Sequence, residues 1–495
     1  MGHSLGEKNR QSDEIRPPIS YNFFMAKKFY ITTTLPYVNA SPHIGFAMEI
    51  VRADTIARYH RLLGENVIFN TGVDEHGLKI FQKAVEEKKL PQKYCDEKVV
   101  KYLELKKLLN LSFTNFIRTT DKFHISAAQE FWRRCFKNGD IYKAKYQIKY
   151  CVGCELEKTD SELEDGQCPI HPNRQIEIIN EENYFFRFSK YQKALLDLYE
   201  SEPDFVLPKF RLEEISKFVR SGLKDFSISR LKKKMPWGVP VPGDPKQVMY
   251  VWFDALVNYI STLGWPKNEK NFKEFWPGIQ IAGKDNLRQQ SAMWQAMLMS
   301  AGLPCSKQIY IEGFINLGGQ KMSKSLGNVV DPFQLVSEYG TDAVRYYLLR
   351  EIPAYGDGDF SISRFKEVYN ADLANGLGNL VARVAKLGEK SGFSFVNKKI
   401  GFEKAVADSL DKYRFDEALT KIWEIISKAD KTIDKAKPWE QKGKPLEKNL
   451  QKLVFEIQKI AFNLKPFLPE TAAAINSQFS SPRIKSQKPL FPRLN

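Results

Sequence analysis

"NASPHIGFAMEI", Asn39 to Ile50, decides how the rest of the chain reads. It follows a β-branched run, "FYITTT" (Phe29–Thr34), and leads into an apolar-periodic segment that reaches Leu63 and stops at Gly64. Ser41 fits an N-cap, and Pro42 fits the first helical position, where its missing N–H costs nothing. Strand, short loop and capped helix together make a helix N-terminus that can hold an anion. His43 and Phe46, three residues apart, share one face of that helix. The imidazole suits a phosphate and the phenyl ring does not.

Outward from this turn, the chain reads as an interrupted α/β domain. "KFYITTT" and "ENVIFNTG" are strands on either side of the helix, and the first half of the domain spans residues 26–140. Residues 141–249 form a connective insert with a Cys-rich knuckle at about 150–172. "VMYVWFDALVNYI" and "IQIAGKDNL" resume the strand-then-helix style in a second half, residues 250–350. Residues 351–495 are helical by period, most clearly in "RFDEALTKIWEIISKADKTIDKA" and "EKNLQKLVFEIQKIAFNL". Residues 1–25 are polar, lack the apolar stretch of a secretory signal, and are expected to be a flexible extension. Their opening "MGHSLG" has Gly6 where a myristoylation site needs Ser or Thr.

Composition sets limits on partners. The 495 residues are 43% hydrophobic and 27% charged, ordinary for a globular protein, and no apolar run reaches the roughly 18 residues of a membrane span. Net charge is +16, and Ser361–Asn495 alone holds 25 basic and 15 acidic residues. Positive charge concentrated in one segment points to a polyanion, usually nucleic acid, with a solvated basic helical surface as the plain alternative.

Two motifs carry further chemistry. "CVGCELEKTDSELEDGQCPIH" spaces Cys151, Cys154, Cys168 and His171 as C-x2-C-x13-C-x2-H, four ligands for a closed, structural zinc site. Cys95, Cys135 and Cys305 have no such neighbours. "GGQKMSKSLGN", Gly318–Asn328, places Lys321 and Lys324 among serines and glycines, suited to a transient grip on a polyphosphate.

The HIGH-like turn followed about 280 residues later by KMSKS resembles the class I aminoacyl-tRNA synthetases. "TTTLPYVNASPHIG", "NTGVDEHG", the knuckle ending "CPIH", "GLKDFSISR", "YVWFDALVNY", "KMSKSLGNVVDPF" and "DAVRYYLLREIP" resemble the methionyl-tRNA synthetase family in particular. "ANGLGNLVARV" and "KPWE" do so in the tail, and the similarity covers about residues 26–495. It implies a Rossmann-like catalytic domain with a zinc-knuckle insert, then an all-α anticodon-binding domain. It also implies ligation of L-methionine to tRNA(Met) through methionyl-adenylate, with Mg2+ accompanying ATP, in the cytoplasm.

Residue by residue, the resemblance implies that His43, Gly45, Phe46, Lys284, Asp285, Lys321, Ser323 and Lys324 bind ATP. His43, Arg230, Lys321 and Lys324 would act in catalysis. Asp74 would hold the methionine ammonium; Leu35, Tyr37, Trp252, Ala255, Tyr259 and Gln290 would surround the side chain. Asn379 and Arg383, at i and i+4, with Pro438 and Trp439 would read the CAU anticodon. Taken singly, Tyr37 or Tyr259 could equally be packing residues, and for Trp439 packing between helices is the lesser alternative.

Two departures stand out. Phe46 occupies the place of a second histidine, and Gln289–Gln290 occupy the place of an apolar or Pro residue and then His. Gln290 can donate and accept as that histidine would. An Ile, Val or Leu synthetase would carry a much larger editing insert. A catalytically silent paralogue acting as a tRNA-binding module is the alternative from another class. The chain ends at "KPLFPRLN" without the extra module some relatives use to dimerise, so a monomer is expected.

Overall fold

The computed structural model describes residues 26–154, 156–158, 162–322 and 329–494. The expected extension, residues 1–25, lies outside them, as do Ser323 and Lys324. Six parallel strands form the central sheet: β1 (Lys28–Thr33), β2 (Asn66–Val73), β3 (Asn115–Arg118), β4 (Val206–Leu207), β5 (Ile279–Gly283) and β6 (Gln308–Glu312). Their order is β3-β2-β1-β5-β6-β4. β1 is buried from Phe29 onward, as a strand covered on both faces must be. From β1 the chain winds outward through β2 to β3, and from β5 it winds the other way to β6. The reversal opens a crevice beyond the carboxyl ends of β1 and β5, where doubly wound sheets bind ligands.

Helix α1, Ile44–Leu62, crosses from β1 to β2. It starts two residues later than the Ser41–Pro42 signal suggested, because two bonds from outside that signal set its end. His43 is the N-cap, with Nδ1 accepting from the Gly45 N–H at 3.1 Å. The Ile44 N–H donates to the Val330 carbonyl at 3.1 Å, a partner 286 residues away in sequence. At the far end Gly64 takes φ 85°, stopping the helix where the sequence placed its end.

Between β3 and β5, Ile141–Cys151 and Glu177–Phe186 pair antiparallel over their length and carry the cysteine knuckle at their tip. Helices dominate after Ser361, the longest being Phe415–Ala436 and Gly443–Leu464. The first of these buries Phe415, Ala418, Leu419, Ile422, Ile426, Ala429 and Ile433, the stripe its period predicted. One apolar cluster runs from Ile31 and Ile50 through Tyr347 to Leu419 and Ile475, so these helices share a core with one face of the sheet. A second cluster, with Trp132, Phe253 and Trp294, covers the other face. Among the described residues no helix is long and apolar enough to cross a membrane.

Candidate active site

A cavity of about 450 Å³ fills the crevice at the ends of β1 and β5. Leu35, Tyr37, Asp74, Trp252, Ala255, Tyr259 and Gln290 line it together with His43, Gly45, Phe46 and Asp285. Residues from five separate stretches of sequence therefore meet in one place.

Local bonding explains the arrangement. Past β1 the chain stays extended, with Asp74 N donating to Pro36 O at 2.9 Å and Val38 N to Asp74 O at 3.3 Å. This bridge sets Tyr37 beside Asp74. The Asp74 side chain is buried, and its Oδ1 accepts from His76 N and Thr119 Oγ1, each at 3.3 Å. Behind it, Asp254 accepts from His76 Nδ1 at 2.6 Å and from His124 Nε2 at 2.9 Å. Burial alone would raise the Asp254 carboxyl, but His76 and then His124 hold it down to about 2. A fixed carboxylate next to aromatic walls suits an amino acid with a charged ammonium and an apolar side chain.

The helix end of the cavity has different chemistry. Because Nδ1 of His43 accepts the Gly45 N–H, a neutral His43 carries its proton on Nε2. A Cβ at position 45 would lie 2.9 Å from His43 Cε1, so glycine there makes room for the capping ring. Phe46 is buried, edge-on to the Tyr102 ring at 5.7 Å. Tyr102 in turn donates from its hydroxyl to Ala40 O at 2.9 Å and Tyr37 O at 3.1 Å. Phe46 thus packs against the residue that ties down the loop leading into the helix. Met322, at the start of the KMSKS loop, also lines the cavity, and Val330 beyond it binds Ile44. Both described ends of that loop therefore flank the His43 turn.

Other expected residues stand further off. Arg230 is buried between the Tyr150 and Tyr250 rings and donates to Ser227 Oγ at 2.8 Å and Ser229 O at 2.7 Å. Lys284 pairs with Asp357 at 2.6 Å. Neither lines the cavity. Far away in the helical tail, Arg383 pairs with Asp430 at 3.0 Å and Asp434 at 2.7 Å. Asn379 is exposed, Pro438 is buried, and Trp439 is 56% exposed, so its indole is a surface group and not a packing residue.

Sequence reasoning missed several lining residues. Glu49 accepts at Oε1 from Thr34 N at 2.7 Å and Thr34 Oγ1 at 2.6 Å. Burial, with Glu312 nearby, pushes its carboxyl well above the ordinary carboxylate range, toward the neutral acid. The only signal was an acid among the buried positions of α1, which holds a second one in Asp54. Lys79 donates to Gly153 O at 2.6 Å and lies 5.5 Å from the Tyr37 ring centroid, joining the knuckle to the cavity.

The knuckle itself is compact. Ligand atoms of Cys151, Cys154, Cys168 and His171 lie within 4.8 Å of one another. Cys154 Sγ is 3.4 Å from Cys168 Sγ and 3.2 Å from His171 Nδ1, and Cys151 Sγ is 3.9 Å from His171 Nδ1. Tetrahedral zinc with bonds of about 2.0 to 2.3 Å needs ligand separations of roughly 3.3 to 3.8 Å, which this donor set brackets. A Cβ on Gly153 would meet the His171 ring at 2.4 Å, so the turn admits only glycine there.

A parallel sheet with a capped-helix anion site and an amino-acid-sized cavity at its switch point is the layout of a class I aminoacyl-tRNA synthetase. The family model "tRNA synthetases class I (M)" matches residues 29–177 and 159–385. Methionine–tRNA ligase of Thermosynechococcus vestitus is 50% identical over 372 residues, covering 74% of this chain and 70% of the relative. The enzyme of that name from Thermotoga maritima is 46% identical over 423 residues, covering 82% and 67%. The structure of Mycobacterium tuberculosis methionyl-tRNA synthetase in complex with methionyl-adenylate superposes with a TM-score of 0.87 at 35% identity, over 94% of this chain and all of that one. The chain belongs to the methionyl-tRNA synthetase family.

Proposed function

We propose that the chain attaches L-methionine to tRNA(Met) in two steps. The methionine carboxylate attacks the α-phosphorus of ATP, pyrophosphate leaves, and the tRNA 3′-terminal ribose hydroxyl then takes the methionyl group from the adenylate. The observation that carries this reading is one cavity with a buried carboxylate, Asp74, among aromatics at one end and the His43-capped helix at the other. Asp74 would hold the ammonium while Leu35, Tyr37, Trp252, Ala255, Tyr259 and Gln290 enclose the thioether, a favourable partner for aromatic rings.

His43 would donate to the triphosphate from Nε2, at a helix end that favours negative charge. Gly45, Phe46 and Asp285 would contact the nucleotide, with Lys284 near its edge. Lys321, Ser323 and Lys324 would bind ATP, the two lysines stabilising charge on the triphosphate, and Arg230 would add positive charge from beside the cavity. Positioning and electrostatic stabilisation suffice for a first step with no covalent enzyme intermediate. Mg2+ would come with ATP. Cys151, Cys154, Cys168 and His171 would hold one structural zinc with no open position. In the tail Asn379, Arg383, Pro438 and Trp439 would read the anticodon, the exposed Trp439 by stacking. The segments 26–140, 141–249, 250–350 and 351–495 would serve as the two catalytic halves, the insert and the anticodon domain of a cytoplasmic monomer.

ATP–pyrophosphate exchange with each amino acid in turn tests this reading, alongside elemental analysis for one zinc per chain and light scattering for the monomer. Methionine is expected to support exchange; no exchange with methionine would leave the tRNA-binding module as the reading.

Phe46 bears on the rate of the first step. One missing preorganised donor is worth roughly 3 kcal/mol, about a hundredfold. Phe46→His is therefore expected to speed methionine-dependent exchange by about tenfold to a hundredfold. It should also lose roughly 1 kcal/mol of stability with the Tyr102 edge contact. An unchanged rate in a folded variant would rule out the missing-donor account.

A further inference from the structure

The two adjacent glutamines on the cavity wall are bonded very differently. Residues Gln289–Met293 form a π-helical turn ahead of the helix Trp294–Ser300, and both Gln289 and Gln290 line the cavity. Such widened turns recur where a helix must present side chains to a ligand. Gln290 is committed at both ends of its amide. Nε2 donates to the Tyr259 hydroxyl at 2.7 Å, and Oε1 accepts from Gln280 Nε2 at 3.0 Å. Gln280 is held by Ser306, whose Oγ donates to Gln280 Oε1 at 2.6 Å, and Ser306 in turn is gripped by Gln295.

Gln289 has no such commitment. It is 3% exposed, and its Oε1 has no hydrogen-bond partner among the described residues. The indole Nε1 of Trp252, on the same cavity, is buried in the same condition. An amide NH2 that a ligand seals off from water without a partner is expensive, so a ligand that places an acceptor opposite it is favoured. The oxygen is the end closed off from open space, so the carboxamide can meet a ligand with its NH2. A thioether sulfur accepts hydrogen bonds and cannot donate them.

We propose that Gln289 is a specificity-determining residue, donating from its carboxamide to the sulfur of the bound amino acid, so that this chain separates a thioether from a hydrocarbon side chain of equal length. This rests on the reading of the cavity as a methionine site. Norleucine, which has a methylene in place of the sulfur, fills the same space and leaves the amide unpaired. A site that hydrogen-bonds its substrate rejects an analogue lacking the partner, here modestly because sulfur is a weak acceptor.

The test is the ratio of kcat/KM for methionine to that for norleucine in pyrophosphate exchange, for the parent and for Gln289→Leu. Leucine is of similar size and removes both polar ends. The ratio is expected to fall about fivefold to tenfold, mainly through a higher KM for methionine and a lower one for norleucine. Gln289→Ala, which introduces no strain, carries the same expectation should the leucine variant fail to fold. An unchanged ratio in a folded variant overturns the inference while leaving the methionine reading intact. Absence of methionine exchange in the parent overturns both.

Discussion

Asp74→Asn is expected to lower kcat/KM for methionine in pyrophosphate exchange by on the order of a thousandfold, almost all of it in the KM for methionine. The carboxylate is buried and placed by two hydrogen bonds, from His76 N and Thr119 Oγ1. An ammonium drawn into such a site loses its water and depends on that one charge. Removing one partner of a buried, hydrogen-bonded charge pair costs roughly 2–5 kcal/mol, the range that contains a thousandfold loss. Asparagine keeps the shape and can still accept both bonds, so the fold and ATP binding should stay at parent levels. Exchange kinetics with varied methionine, together with ATP binding measured separately, check this. A variant with an unaltered KM for methionine would show that the ammonium is held elsewhere. Asp254→Asn would be a poorer probe of the same site. It removes the charge that His76 and His124 share and sets an NH2 against one of them, and a general loss of stability would obscure the reading.

What could be read in the sequence, and what could not, divides by the range of the interaction. β1, α1, β2 and β5 fall where β-branched runs and apolar period placed them, since those signals depend on near neighbours. The start of α1 did not, because the Ile44 N–H bonds to Val330 and no local signal encodes a partner that distant. The knuckle was legible because four ligands in a 21-residue window leave few alternatives. Sheet order was not, since Val206–Leu207 pairs outside Gln308–Glu312 although it precedes Ile279–Gly283 in the chain. The amino-acid cavity was legible only through motifs in order; composition and period say nothing about Tyr37 meeting Tyr259. Glu49 and the Gln290–Gln280–Ser306–Gln295 chain stayed hidden for one reason: buried polar groups are explained by their partners, and the partners are distant. Phe46 was visible as an oddity, and its contact with Tyr102 gives it a packing role that the loss of a phosphate donor alone did not supply.

Arg345→Met is expected to remove about 3–5 kcal/mol of stability and to loosen the helical tail from the catalytic core. The guanidinium is fully buried. It donates to Phe467 O at 2.8 Å, Pro466 O at 3.0 Å and Leu109 O at 3.0 Å, and pairs with Asp54 at 2.9 Å. One side chain thus joins α1, the end of the helix Pro91–Leu108 and the segment between Gly443–Leu464 and Pro469–Phe479. Methionine fills similar volume but leaves three carbonyls and one carboxylate short of a donor, the costly way to break a buried pair. The pH dependence separates the ion pair from the carbonyl bonds. Burial alone would raise the Asp54 carboxyl; Arg345, then Arg58, hold it below the ordinary carboxylate value. In the parent, Asp54 therefore contributes stability above its unfolded value of about 4 and loses it as pH falls through the lower folded value. Without Arg345 burial weighs more heavily, and the same group stabilises less, or even destabilises, as pH rises. The stability gap between parent and variant should be smaller at pH 3, where the three unmet carbonyls set it, and should widen toward pH 7 by the share that belongs to the pair with Asp54. Urea midpoints at the two extremes measure it. An equal gap at pH 3 and pH 7 would assign the whole effect to the three carbonyls and none to the pair with Asp54.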